Sequence, residues 1–223
     1  MLIALRHNDG RMPTMRSVFV VGDSISIQYG PFLEQMLNGR IAYARKGSED
    51  ATMAEALRNL DMPAGANGGD SSMVLAYLRT RCADEIFQPD LLVLNCGLHD
   101  IKRTLTAKTL QIDPGSYATN LRAIVTLLRE RHIALAWVRT TPAVEAIHNA
   151  KNRDFHRFAA DVDDYNRIAD GIMSEAGAKV LDLHRFTNTQ GGDERFCDHV
   201  HFTDQIRRLQ AAYIAGHLLA WLG

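Results

Sequence analysis

Three residues near opposite ends of the chain have the side chains that a serine hydrolase needs. Ser24 follows the apolar run Val18–Val21 in a Gly-Asp-Ser turn, and Asp198 precedes His201 by three residues, just before an amphipathic C-terminal segment. A serine hydroxyl needs a base to take its proton, and a carboxylate that accepts from the imidazole Nδ1–H orients that base. The pattern predicts Ser24 as nucleophile, His201 as base and Asp198 as the residue that orients His201.

Acyl transfer also requires hydrogen-bond donors for the oxyanion that develops on the substrate. The backbone N–H of Ser24 is one candidate donor. Gly69 is a second, because glycine allows a ligand to approach the backbone closely. The ring N–H of His99, just after an apolar run, is a third. For Gly69 the residues alone favour a plain turn before a helix, and for His99 they leave a turn residue equally open. The segment around Gly69 lacks the phosphate-binding patterns G-x-x-x-x-G-K-[ST] and G-x-G-x-x-G.

Strands and helices are predicted to alternate along the chain. Short apolar runs are typical of buried parallel strands; they are Val18–Val21, Leu91–Asn95, Ala134–Val138, Val180–Leu183 and a weaker run, Ile41–Ala44. Helical patterns lie between and after these runs; they cover Pro31–Leu37, Ser71–Leu78, a segment that begins at Ser116, Asp161–Ala176 and Thr203–Leu222. This alternation predicts one doubly wound α/β sandwich with a parallel sheet.

Ligands of such sheets bind at the carboxyl ends of the strands. The segments directly after the predicted strands are therefore the ones to consider, and most of the candidate chemistry falls in them. They are residues 22–24, 96–100, 140–142 and 198–201, together with the segment around residues 68–70. The order of strands and candidate residues thus predicts one site at one edge of the sheet.

These residues, in this order, resemble the SGNH/GDSL hydrolases, a superfamily of esterases and lipases on a flavodoxin-like three-layer α/β/α sandwich. The resemblance extends from about Val18 onward over four blocks, which are Gly22-Asp23-Ser24, Gly69-Asp70-Ser71-Ser72, Gly97-Leu98-His99-Asp100 and Asp198-His199-Val200-His201. It implies a mainly five-stranded parallel sheet, Gly69 as the oxyanion glycine, ester hydrolysis by Ser24, Asp198 and His201, and no cofactor. The G-x-S-x-G elbow of α/β-hydrolases is missing, since Ser26 stands where its last glycine would be.

The third block departs from the usual Gly-x-Asn-Asp of this superfamily. His99 stands where the family has an asparagine whose side-chain amide donates to the oxyanion. A neutral imidazole has one N–H and can donate if its tautomer is right. Our hypothesis is that His99 replaces the asparagine as the third oxyanion donor.

Composition sets the class of protein. A chain of 223 residues with a net charge of −1 is long enough for one sizeable domain and shows no bias toward nucleic acid or an anionic membrane. No apolar run approaches the roughly 20 residues of a membrane span. We expect residues 1–16 to be a leader outside the fold, with Met15 as a possible start, and residues 17–223 to form the domain. Three cysteines without an export signal favour a reducing, cytoplasmic compartment.

The residues also allow three functions other than serine-dependent ester hydrolysis. His99, Asp100, Asp198, His199 and His201 allow a metal cluster and hence a metal-dependent phosphoesterase, although nothing else fixes the ligand count that a metal requires. No metal is expected on balance. A cysteine enzyme that uses Cys96 or Cys197 has less support. An inactive relative that binds carbohydrate is supported by the substitution at His99 alone.

The substrate is the least determined feature. The segment Pro142–Arg157 follows the fourth strand and is rich in cations, namely His148, Lys151, Arg153, His156 and Arg157. Recognition of an anionic or hydroxyl-rich substrate competes with an ordinary solvated loop as the interpretation of this segment. No long apolar lid of the kind that a true lipase would need is present. The sequence favours a small-molecule partner, a short-chain ester and in particular an O-acetylated carbohydrate.

Overall fold

The structure is a computed structural model that describes residues 15–48 and 52–223. Its strands are β1 (Ser17–Val21), β2 (Ala42–Arg45), β3 (Leu91–Leu94), β4 (Arg103–Thr104), β5 (Ala134–Val138), β6 (Phe155–His156) and β7 (Lys179–Leu181). Its α-helices are α1 (Ser24–Leu37), α2 (Thr52–Arg58), α3 (Ser71–Ala83), α4 (Pro114–Glu130), α5 (Glu145–Lys151), α6 (Ala159–Ala176), α7 (Leu183–Asn188) and α8 (Asp204–Leu222), with a 3₁₀ turn at Asp193–Arg195.

Five strands form one parallel sheet in the order β2-β1-β3-β5-β7. The strand order reverses between β1 and β3, which makes their carboxyl ends the switch point where such sheets bind ligands. Helix α1 packs on α8, and α4 packs on both α3 and α6. Because helices cover both faces, β3 is apolar and buried along its whole length. The predicted fold, an α/β/α sandwich on a five-stranded parallel sheet, is confirmed.

Helix α1 begins seven residues earlier than the sequence pattern suggested. The pattern placed Pro31 at the start of the helix, but the first helical residue is Ser24 and Pro31 lies inside. Asp23 caps the N-terminus, since its Oδ1 accepts a hydrogen bond from Ile25 N–H at 3.0 Å. Proline lacks an N–H and costs the helix one hydrogen bond, but the buried Leu33 and Leu37 continue the helix beyond it.

Aspartate side chains also cap the N-termini of α3 and α4. Helix α3 begins at Ser71 as predicted, and Asp70 caps it by accepting from Ser72 N–H and Met73 N–H. Asp113 caps α4, which therefore begins at Pro114, two residues before the Ser116 that was expected to begin it. The short helices α2, α5 and α7 and the antiparallel pair β4–β6 were not predicted, because segments of two to seven residues carry too little periodicity.

The ends of the described chain bear on two further expectations. Residues 1–14 of the predicted leader lie outside the described residues. Arg16, the last residue of that predicted leader, contacts the domain through an ion pair with Asp90 at 2.6 Å. Across residues 15–48 and 52–223, no helix has both the length and the apolar character needed to cross a membrane.

The chain leaves β3 through a tightly packed turn. Gly97 has a φ of +153°, and a Cβ built there would lie 2.2 Å from Thr140 Oγ1. That hydroxyl and the Tyr117 hydroxyl both donate to the carbonyl oxygen of Cys96. The turn therefore joins β3, α4 and the end of β5, and it directs the following His99 toward the carboxyl edge of the sheet.

Substitution of Gly97 should destabilise the fold. We expect Gly97→Ala to lower the free energy of unfolding by about 2–4 kcal/mol, since the added methyl must displace Thr140 and the backbone conformation disfavours a side chain. Gly171→Ala is the control: no atom lies within 4 Å of its Cβ position inside α6, so a gain of about 0.5–1 kcal/mol is expected. Urea unfolding measures both. Equal stability of Gly97→Ala and the unmodified protein would contradict this account of the turn.

Candidate active site

The candidate nucleophile lies at the carboxyl end of the first strand. Ser24 follows β1 after Gly22 and Asp23 and is the first residue of α1. It is 5% exposed. The carbonyl oxygen of Gly22 accepts from Gly68 N–H at 2.9 Å. This hydrogen bond joins residues 67–70, called the glycine loop below, to the turn that carries Ser24. The fold thus brings the first two sequence blocks side by side.

Ser24, His201 and Asp198 form a continuous chain of hydrogen bonds. Ser24 Oγ lies 2.8 Å from His201 Nε2, and His201 Nδ1 lies 2.7 Å from Asp198 Oδ2. Asp198 Oδ1 accepts from Val200 N–H and His201 N–H, both at 2.8 Å. The structure therefore brings together the three residues that the sequence singled out.

Electrostatics determine which atom donates and which accepts in each hydrogen bond between Asp198, His201 and Ser24. Partial burial raises the pKa of Asp198, but the hydrogen bond from the His201 ring and the two backbone N–H donors outweigh burial, and the net pKa lies below the ordinary value. An ionised Asp198 requires His201 Nδ1 to carry a proton. In neutral imidazole Nε2 is then an acceptor, and Ser24 Oγ–H donates to it. The arrangement can remove the hydroxyl proton as Ser24 attacks.

The expected oxyanion donors lie in three different settings. The N–H of Ser24 is in the first turn of α1, where helical N–H groups have no intrahelical partner. Gly69 has a φ of +75°, and its N–H donates to Asn67 Oδ1 at 3.0 Å. A substrate oxyanion would have to take over that hydrogen bond. His99 is 3% exposed. Burial and the positive charges of Lys102 and Arg157 hold its pKa well below 6.5, so the imidazole is neutral and has one N–H.

A second aspartate–histidine pair lies beside the first. His199 Nε2 is 2.9 Å from Asp61 Oδ2, and His199 Nδ1 is 2.8 Å from His148 Nδ1. Burial, Arg157 and His199 lower the pKa of His148 to about 3, so that it is neutral. The pair joins the segment before the glycine loop to the loop of Asp198 and to α5. Sequence reasoning did not find Asp61, because nothing in its local pattern connects it with a residue 138 positions away.

The cation-rich segment Pro142–Arg157 is divided between surface and interior. Its structure is α5 followed by β6. Lys151 and Arg153 are exposed, whereas His148 and Arg157 are buried. The interpretation as a solvated loop is therefore wrong for His148 and Arg157, two of the five basic residues of this segment.

A metal ion would compete with hydrogen bonds that the candidate ligands already make. Ligand atoms of Asp198, His199 and His201 lie within 4.8 Å of one another. Both ring nitrogens of His201 are engaged, with Asp198 and Ser24, and both of His199, with Asp61 and His148. Asp100, also considered as a ligand, instead accepts from Ser71 N–H at 2.9 Å. The residues present fit a proton relay better than a metal site.

The cysteines differ in environment. Cys82, Cys96 and Cys197 are all free thiols. Burial raises the pKa of Cys96 well above its ordinary value, and the nearby Asp100 carboxyl adds to the effect. A thiol, rather than the reactive thiolate, is therefore expected at Cys96. Cys197 is exposed, and Arg207 Nη2 lies 3.4 Å from its Sγ.

Comparison with known proteins agrees with this geometry. Residues 20–209 match the model of the GDSL-like lipase/acylhydrolase family. The chain belongs to that family. It is accordingly a carboxylic ester hydrolase. A search of curated proteins by sequence found no match.

Solved structures with the same fold include several GDSL-like proteins of low sequence identity. An acetyl xylan esterase, AlAXEase, is 18% identical with a TM-score of 0.64, and the match covers 91% of this chain and 99% of that one. A putative acylhydrolase from Bacteroides fragilis NCTC 9343 is 16% identical with a TM-score of 0.67, over 95% of this chain and 90% of that one. A lipase/acylhydrolase from Enterococcus faecalis is 16% identical with a TM-score of 0.60, over 94% and 98%.

Asp100, the last residue of the third GDSL block, is a buried acid. Burial raises its pKa to about 7, although hydrogen bonds from Ser71 act in the opposite direction. Its Oδ1 accepts from Ser71 N–H, whereas Oδ2 is buried and has no partner. This folded-state pKa lies above the ordinary value of 3.8, so the folded protein holds a proton that the unfolded chain has released between about pH 4 and 7.

The stability of the protein should therefore fall as pH rises through this window. The contribution of Asp100 is complete below about pH 4 and is lost by about pH 7, a change on the order of 4 kcal/mol. Asp100→Asn keeps the acceptor without the titration, so its free energy of unfolding should change less between pH 5 and 8. Asp164→Asn, at a side chain that is 57% exposed, is the control and should retain the original slope. An unchanged slope in Asp100→Asn would show that Asp100 does not titrate in this range.

Proposed function

We propose that this protein is a serine-dependent acyl-ester hydrolase in which Ser24 is the nucleophile, His201 the general base and Asp198 the residue that orients the base. The observation that carries the proposal is the hydrogen-bond chain from Ser24 Oγ through both nitrogens of His201 to Asp198, at 2.8 and 2.7 Å. Membership of the GDSL-like family supports the same assignment.

Acylation follows from this arrangement. Ser24 Oγ forms a bond to the ester carbonyl carbon while His201 Nε2 takes the hydroxyl proton, and Asp198 stabilises the imidazolium that results. The carbonyl oxygen becomes an oxyanion, held by Ser24 N–H, Gly69 N–H and the His99 ring N–H. The carbon–oxygen bond to the alcohol then breaks, and His201 gives its proton to the departing alcohol.

Deacylation repeats the sequence with water. His201 Nε2 takes a proton from a water molecule that attacks the acyl-enzyme carbonyl, and the same donors hold the second oxyanion. Collapse breaks the bond to Ser24 Oγ, which recovers the proton from His201. No cofactor enters these steps.

The substrate proposed is a small or short-chain ester, in particular an O-acetylated carbohydrate. The likeness to an acetyl xylan esterase supports an acetyl group on a sugar. A cytoplasmic location is part of the proposal and is supported by three free thiols. A metal-dependent phosphoesterase is the second candidate, favoured by the proximity of Asp198, His199 and His201. A catalytically inactive binding protein is the third, supported by the histidine at position 99.

Hydrolysis of p-nitrophenyl acetate separates these candidates. We expect the Ser24→Ala variant to lose on the order of 10⁴-fold or more in kcat, because nucleophilic catalysis is removed, and we expect EDTA to leave the wild-type rate unchanged. Activity that survives the substitution and disappears with EDTA would assign the chemistry to the histidine cluster. The absence of activity and of fluorophosphonate labelling would indicate an inactive relative.

In a series of p-nitrophenyl esters from acetate to palmitate, a higher kcat/KM for the longer chains would contradict the short-chain assignment.

The role of His99 requires its own pair of variants. Loss of one oxyanion donor typically lowers kcat about 10²–10³-fold, so His99→Ala should fall in that range. His99→Asn places the amide usual in the family at this position and should retain much of the activity. A kcat of His99→Ala within about threefold of wild type would exclude an oxyanion role, given the size of a donor's usual effect. Circular dichroism of each variant checks that the buried site still folds.

A further inference from the structure

Two cations lie beside the candidate active site around a single aromatic ring. The centroid of the Phe155 ring is 4.8 Å from Arg157 Cζ and 4.3 Å from Lys102 Nζ. Arg157 Nε donates to the carbonyl oxygen of Leu98 at 2.7 Å. Leu98 directly precedes His99, and both cations lower the pKa of His99, whose first cause is burial. The pair is therefore adjacent to the proposed oxyanion donor.

Arg157 is buried without a direct counter-ion. It is 2% exposed, and its Nη1 is buried with no hydrogen-bond partner. Within residues 15–48 and 52–223, no carboxylate oxygen lies within 4.0 Å of either Arg157 or Lys102. Burial lowers the pKa of Arg157 to about 10, which leaves it charged at neutral pH. Isolated buried charges are costly and are normally paired.

None of the nearby carboxylates forms a direct ion pair with Arg157. The charges of Asp61, Asp23 and Asp198 act on Arg157 over longer distances. Asp198 accepts from His201 and two backbone N–H groups, and Asp61 accepts from His199. Asp23 Oδ1 accepts from Ile25 N–H, whereas Asp23 Oδ2 is buried with no hydrogen-bond partner and acts on Arg157 only through its charge. The guanidinium fork thus has a free edge, with Lys102 close to it. A planar fork of this kind matches a carboxylate, which it can bind through two parallel hydrogen bonds.

We propose that Arg157 and Lys102 form an anion-binding subsite for a carboxylate on the substrate, so that the preferred esters are O-acetyl esters of hydroxy acids, such as acetylated sugar acids. The inference rests on the proposed function. An acetyl group has no ionisable group, so the carboxylate belongs to the alcohol half of the ester.

Lys102 completes the subsite rather than acting alone. Its Nζ donates to the carbonyl oxygen of Asp61 at 3.1 Å, and this hydrogen bond holds the ammonium against Phe155. Burial lowers the pKa of Lys102 to about 8, and the charge of Arg157 contributes in the same direction. A bound carboxylate would relieve the repulsion between the two cations. The cost of holding two like charges together is then offset when substrate is present.

The test compares two esters that differ in charge but little in shape. They are 4-acetoxybenzoate and 4-acetoxybenzamide, together with the 3-acetoxy pair. The wild-type enzyme should hydrolyse the carboxylates with at least about tenfold higher kcat/KM than the amides, mainly through KM, because only the carboxylates can form charged hydrogen bonds with the two cations. A wild-type preference for the amides would overturn the proposal without any variant.

Substitutions then assign the preference to the two cations. Arg157→Gln should reduce the carboxylate-to-amide ratio to about one, and Arg157→Lys, which keeps the charge but not the fork, should retain part of it. Lys102→Met should lower the ratio as well. Arg167→Gln is the matched control, since Arg167 is 73% exposed and pairs with Asp164, and it should leave the ratio unchanged. A ratio unaffected by Arg157→Lys and Lys102→Met would overturn the proposal and leave Arg157 as a long-range counter-charge for the aspartates.

A binding measurement separates this proposal from the proposed function. Calorimetric titration of the Ser24→Ala variant with 4-acetoxybenzoate should show binding. The affinity should be lower for 4-acetoxybenzamide, and it should also be lower when Arg157→Lys is added to Ser24→Ala. If this binding is found while neither ester is hydrolysed by the wild type, the subsite stands and the hydrolase mechanism fails. If both esters are hydrolysed at equal rates and bind equally, the mechanism stands and the subsite fails.

Discussion

The hydrogen bond between Ser24 Oγ and His201 Nε2 is the interaction on which the rest of the site depends. It joins residues 177 positions apart in the chain. Ser24 is the first residue of α1, and His201 lies three residues before α8, so the packing of α1 on α8 sets the distance between them. Asp198 orients the imidazole from within the same loop. The two ends of the chain are therefore positioned by one helix pair on one face of the sheet.

The groups around the hydrogen-bond chain differ in protonation state, with aspartates that are ionised and histidines that are neutral. Asp198 and Asp61 keep low pKa values because each is hydrogen-bonded to a histidine, although burial acts in the opposite direction. His99 and His148 are neutral because burial and the charge of Arg157 disfavour their protonated forms. One side of the site thus holds the hydrogen-bond chain of Ser24, His201 and Asp198, while the other holds the neutral His99 beside two cations that lack a direct counter-ion.

Much of this arrangement could be predicted from the sequence, and the part that could not has a common cause. All five strands of the sheet were expected from short apolar runs, which are buried in β1 and β3 and only partly buried in the edge strands β2 and β7. The spacing of Asp198 and His201 is local. The start of α1 at Ser24 was missed because Pro31 resembles a helix start, whereas Asp23 is the cap. The contacts of Asp61 with His199 and of Arg157 with Leu98 join distant segments of the chain through single side chains. Such contacts leave no periodic pattern in the sequence of either segment.

The rate at which a fluorophosphonate labels Ser24 tests the hydrogen-bond chain most directly, because the reagent needs an activated serine and no knowledge of the substrate. Intact-mass spectrometry should find one adduct, mapped to Ser24. Asp198→Asn should slow labelling by about 10³–10⁴-fold, since the imidazole loses its orienting carboxylate, whereas Asp61→Asn, which alters the neighbouring aspartate–histidine pair, should slow it far less. Labelling of Asp198→Asn at the wild-type rate, or an adduct on another residue, would contradict the account.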